Sequence, residues 1–253
     1  MQLSRAHSVR ASILPDRPGL LKGDNSRGSA LRDDVDDVDD DDSESHSGSE
    51  DESVNTGPLL EVGVDPNSVD SEGWAGLHWA AALGRLDLAD LYLEHGADIN
   101  VQRQDGYAPL HIACEIGDEE TTLYLLQHGA KSELQTRYDQ FTPLHLACRE
   151  GHRRCVEALG LAGANLNAQS PVSGFTPLMV AAIGGHEGCV LSLLLVSRDT
   201  LRMCQNLPPL DVNICDNDGF GALDLAVLRG HDNVIETLQV QFAASNLSNF
   251  TPS

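Results

Sequence analysis

The chain has 253 residues, 41% of them apolar but only 4% aromatic, so any core must be assembled mainly from Leu, Ala and Val. Its formal net charge is −23, with 39 acids against 16 Lys or Arg, which repels phosphate and weighs against nucleic acid as a partner. No apolar run approaches the ~20 residues of a membrane span.

In chain order, residues 1–32 carry six Lys or Arg against Asp16 and Asp24, and residues 33–56 carry twelve acids and no base. Self-repulsion and few apolar groups predict disorder over the whole of 1–56. Ser47 and Ser49 each precede a Glu by three residues (Glu50 and Glu52), as in acid-directed kinase sites. Phosphate there would add charge to an already repelling tract, while an unmodified solubilising tail accounts for the same residues. Residues 1–14 hold Arg5 and Arg10 and no acid, so a mitochondrial targeting role stays open beside the absence of a signal peptide. Six Cys without a C-x-x-C pair read as free thiols of a cytoplasmic protein, with the nucleus as the second compartment.

From about residue 69 the chain repeats itself. The windows AGLHWAAALGR, APLHIACEIGD, TPLHLACREGH, TPLMVAAIGGH and GALDLAVLRGH share a leucine in third place, at Leu77, Leu110, Leu144, Leu178 and Leu223. Each begins a short, Ala-rich helix. Pro109, Pro143 and Pro177 suit a first turn, where a missing N–H costs nothing. Gly84, Gly117, Gly151, Gly185 and Gly230 then end the helix in the left-handed conformation that glycine adopts without strain. A longer, Leu-rich helix follows and stops at Gly96-Ala97, Gly129-Ala130 or Gly163-Ala164, and turn residues such as Asp105-Gly106 and Asp218-Gly219 lead into the next unit.

The fourth unit carries about twelve extra residues within 197–209. Val190, Leu194, Ser197, Leu201 and Cys204 continue a helical spacing, so either a lengthened second helix or an inserted surface loop accounts for them, and Asp211-Val212-Asn213 restores the register.

These windows resemble the ankyrin repeat, with its T-P-L-H-x-A-A, G-H and G-A-D-x-N segments. The resemblance implies an all-α repeat solenoid of stacked helix–turn–helix units with short β-hairpin loops and a concave binding face. On that reading residues 57–68 form a partial capping repeat. Full repeats span 69–102, 103–136, 137–170, 171–215 and 216–242, and 243–253 is a C-terminal tail.

Ten His and six Cys invite a metal reading. Most recur in equivalent registers: His78, His111 and His145; His95 and His128; His152, His186 and His231; Cys114 and Cys148; Cys155 and Cys189. Equivalent positions of packed helices lie on the order of 10 Å apart, too far to share one ion. The histidines of the first register are expected to hydrogen-bond locally and tie helix to hairpin. No catalytic residue, metal site or cofactor is expected, and the chain reads as a non-enzyme.

Candidate binding positions come from two sources. Before each T-P-L-H segment stands an aromatic residue: Trp74, Tyr107, Phe141, Phe175 and Phe220. Such a row serves either as interface anchors along a groove or as packing between units. The resemblance adds the hairpin tips (Ser71, Glu72, Gln104, Asp105, Asn217, Asp218). It also adds the two positions after each Ala-Ala pair: Ala82, Leu83, Glu115, Ile116, Arg149, Glu150, Ile183, Gly184, Leu228 and Arg229. Repeat three departs from the tip pattern, with Asp139-Gln140 in place of Asp-Gly. The function implied is protein–protein interaction as a monomeric adaptor or scaffold. The alternative is a regulatory inhibitor of IκB-like logic, controlled by the acidic tail. The degradation signal of that family, D-S-G-x-x-S, is absent here.

Overall fold

Each repeat supplies a helix too short and too one-sided to stand alone, so neighbouring units must bury its faces. The computed structural model describes residues 65–203 and 208–248. They form five helix pairs: α1 (Gly76–Leu83) with α2 (Leu86–Glu94), α3 (Pro109–Ile116) with α4 (Glu119–Gln127), α5 (Pro143–Glu150) with α6 (Arg153–Leu161), α7 (Pro177–Gly184) with α8 (Glu187–Met203), and α9 (Ala222–Arg229) with α10 (Asp232–Ser248). The first helices pack in sequence, α1 on α3, α3 on α5, α5 on α7 and α7 on α9, forming one layer. The second helices α4, α6, α8 and α10 pack likewise, forming the other.

The helix boundaries follow from the residues predicted to set them. Pro109, Pro143 and Pro177 each begin a first-layer helix. Gly84, Gly117, Gly151, Gly185 and Gly230 follow those helices with φ between 63° and 87°. Leu77, Leu110, Leu144 and Leu178 are fully buried between units, each contributing roughly 1.5–3 kcal/mol by transfer from water. Leu223 is only half-buried, because among the described residues no further repeat covers the last unit.

The loops between units are tighter than full hairpins. Among the described residues two of the loops close on isolated bridges, Val69 with Ala75 and Cys215 with Gly221, and no β-strand forms. Gln140 is the residue that takes the left-handed tip conformation in repeat three, with φ 51°, where the other tips use glycine.

The insertion in the fourth unit is helical at least as far as Met203, α8 having 17 residues against nine in α2, α4 and α6. Val196 packs against Gly160, where an added Cβ would come within 2.4 Å of its Cγ1. Ser197 Oγ accepts from the Leu210 N–H at 2.9 Å. Register returns at Asp211, whose N–H donates to Asn167 Oδ1 at 2.8 Å. The last helix continues to Ser248, so residues 243–248 are helical where the sequence predicts a tail. Residues 57–64 of the expected capping segment and the phosphosite candidates Ser47 and Ser49 lie outside the described residues.

Candidate functional site

The histidines of the T-P-L-H register explain how adjacent units hold each other. In each, the ring reaches back to the start of its own helix and across to the next unit. His111 Nδ1 accepts from the Ala108 N–H at 3.1 Å, while Nε2 faces the carbonyls of Leu134 at 3.0 Å and Phe141 at 3.3 Å. His78 joins Ala75 to the Tyr107 carbonyl in the same way, and His145 joins Thr142 to the Phe175 carbonyl. An Nδ1 that accepts and an Nε2 that donates assign the neutral ring. Burial pushes the pKa of His111 and of His145 down to about 4, and lowers that of His78.

A second register ties units in the opposite direction. His152, His186 and His231 place Nε2 at 2.9–3.0 Å from the carbonyls of Glu115, Arg149 and Ile183, the last or near-last residues of the preceding first-layer helix. With these bonds, the rings of both registers are committed to backbone groups.

The aromatic row belongs to the same framework. Trp74, Tyr107, Phe141 and Phe175 are each 9% exposed or less. Phe141 stacks on His145 with centroids 4.9 Å apart, and Trp74 stacks on Trp79 at 4.5 Å. These ring contacts lie within a unit, Arg103 of the next unit covers Trp74, and the burial of the four rings fits packing rather than an open groove wall. Phe220, in the terminal unit, is half-buried.

What stays accessible is the rim of the first layer. Leu83 is 63% exposed and Ile116 52% exposed, at the same register of consecutive helices. Glu150 stands next in that register. Arg149 donates to Glu115 at 2.6 Å and to Glu150 at 2.8 Å, so one guanidinium bridges two carboxylates of neighbouring units. Burial raises the pKa of Glu115, with Glu150 adding to the rise and Arg149 opposing it. At the tips Glu72 and Asp218 are exposed and Asp105 is half-buried. Ile183, by contrast, is buried, and Gly184 offers no side chain, so the apolar rim ends at the second unit until Val227 and Leu228 in the last.

Arg103 shares its loop position with Asp70, Thr136, Ser170 and Asp216, but the arginine does not recur, and its role has no sign in the sequence. It pairs with Asp105, and its guanidinium lies 4.4 Å from the Trp74 ring centroid and 5.0 Å from that of Tyr107. Such stacking carries no signal in spacing, because it depends on two hairpins meeting. The asparagines are the second omission. Asn67, Asn100 and Asn167 each accept from a backbone N–H of the next unit, at Asp98, Lys131 and Asp211.

A two-layer stack of helix pairs, tied unit to unit by side chain–backbone bonds and leaving a mixed apolar and charged rim, defines a repeat-type protein-interaction module. The family model described as Ankyrin repeats (3 copies) matches residues 56–136, 77–170 and 144–246. Together the matches cover about three quarters of the chain, and the protein belongs to the ankyrin-repeat family. No curated protein matches it. No described helix is long and apolar enough to cross a membrane.

Proposed function

We propose that this protein is an adaptor or scaffold that holds a partner polypeptide against the rim of its first-layer helices and the adjoining loop tips. The observation that carries this reading is the pair Leu83 and Ile116. Two large aliphatic side chains stand in water at equivalent positions of adjacent units, while Leu77 and Leu110 of the same helices are buried. Units tied to one another by side chain–backbone bonds keep the entropic cost of binding small. The acidic balance and the free thiols fit a monomer in a reducing compartment.

The test is proximity labelling in cells with the full chain and with the double variant Leu83→Asp/Ile116→Asp. The reading expects a defined set of labelled proteins to be lost in the variant while its circular-dichroism melt matches wild type. An unchanged set from a folded variant removes the rim from consideration.

A further inference from the structure

If the rim is the binding face, as proposed, its side chains also specify the chemistry of the partner. Charge sets the first requirement. Residues 65–248 hold ten Lys or Arg against twenty-four acids. The arginines along this stretch are already engaged, Arg85 beside Leu83 by Asp87 and two others as follows. Arg103 is covered by two aromatic rings and paired with Asp105, its side chain only 8% exposed. Arg149 is clamped by Glu115 and Glu150, and Glu150 is the most exposed of the three side chains. A visitor therefore meets carboxylate oxygens, because the guanidinium that would offset them lies beneath. Along the register Leu83, Ile116, Glu150, Gly184, Arg229, the next base stands two units beyond Glu150.

Spacing sets the second requirement. Consecutive first-layer helices pack at roughly 8–10 Å, so the Leu83–Ile116 shelf and the Glu115–Glu150 carboxylates are about one repeat apart. An extended chain rises ~3.3 Å per residue, which places complementary groups two or three residues from each other.

We infer that the partner segment docked on this rim is an extended peptide pairing an aliphatic side chain, seated on Leu83 and Ile116, with a Lys or Arg two or three residues away at Glu115 and Glu150. An acidic or phosphorylated segment is disfavoured at this place by like charge. The basic side chain meets a carboxylate pair that already shares one cation, so it supplies the second positive charge that the cluster lacks.

The purified full chain is panned against a random peptide library, and the selected peptides are assayed for affinity against wild type, Ile116→Asp and Glu150→Lys, with folding checked by circular dichroism. The expected consensus is aliphatic with a basic residue two or three positions off. Ile116→Asp should weaken binding about tenfold or more, Glu150→Lys about threefold or more, and added salt should weaken it further. Peptides without a basic residue that still depend on Ile116 would overturn this chemistry and leave the rim as the binding face. Peptides that bind both variants as tightly as wild type would overturn both readings. Enrichment of nothing overturns the inference, as does a dimer of the full chain, seen by sedimentation, that Ile116→Asp dissolves, since a second copy would then occupy the rim.

Discussion

His145 and Phe175 are joined across a repeat boundary: the ring Nε2 donates to the Phe175 carbonyl at 3.1 Å, while Nδ1 receives the Thr142 N–H and lies 2.8 Å from its hydroxyl. The ring can make both bonds only when neutral. Protonation removes the acceptor and places a cation, fully buried, against the N-terminus of α5. His111 occupies the same position one unit earlier.

The first prediction concerns acid. Both rings have a folded pKa of about 4 against an ordinary value of 6.5. Between those values the unfolded chain binds protons that the folded chain refuses. The stabilisation is complete above pH 6.5 and falls as pH drops toward 4, by on the order of 3 kcal/mol per ring in all. Urea midpoints at pH 7 and pH 5 should differ accordingly. In NMR titrations of the native protein, ring protons of His111 or His145 that move near pH 6.5 would contradict the buried, neutral assignment.

Glycine offers an internally controlled comparison. Gly117 and Gly129 have φ of 87° and 90°, so alanine carries a similar conformational cost at either, about 1–2 kcal/mol. At Gly117 the new Cβ would also come within 2.3 Å of His152 Nδ1, whereas at Gly129 nothing lies within 4 Å. Gly117→Ala must displace the ring and its bond to the Glu115 carbonyl. Denaturant unfolding should show Gly117→Ala less stable than Gly129→Ala by about 1–3 kcal/mol, and equal losses would show that the His152 contact contributes nothing.

Phe141→Ala should behave as a core mutation. The ring is fully buried, and truncation of a buried Phe costs about 3–5 kcal/mol. A lowered melting temperature is expected, so a binding defect in this variant reports folding rather than contact. By comparison, Ile116→Asp should shift stability by within about 0.5 kcal/mol. A Phe141→Ala protein with wild-type stability would restore the aromatic row as a set of candidate anchors.

Thiol reactivity separates loop from core. Cys215 is exposed, while Cys114 and Cys148 are buried and their thiols are pushed well above the ordinary range by that burial. Iodoacetamide should label Cys215 in the native protein and reach Cys114 and Cys148 only on unfolding. Comparable rates at Cys114 and Cys215, read by peptide mass spectrometry, would show that α3 opens readily.

Much of the fold is legible in local chemistry. A proline at the first turn, a glycine after the last, and a leucine returning about every 33 residues each act through backbone conformation or one helical face, and those properties travel with the residue. The return of register at Asp211 to Asn213 is readable for the same reason. The insertion is not: the spacing of Val190, Leu194 and Ser197 suits helix or loop, and what holds the helix is Val196 against Gly160 on α6. The site divides along the same line. Leu83, Glu115, Arg149 and Glu150 are positions that the family resemblance points to, and they lie on the rim; the aromatic row is as legible, yet all of it but half-buried Phe220 lies inside.

The sequence by itself determined the repeating unit, its two helices, its caps and its acidic balance, because these depend on residues close together in the chain. Only the tertiary structure decided which side chains face water and which bridge the units. Each loop but the last is covered by its successor, 33 or more residues away, and burial is a property of that encounter.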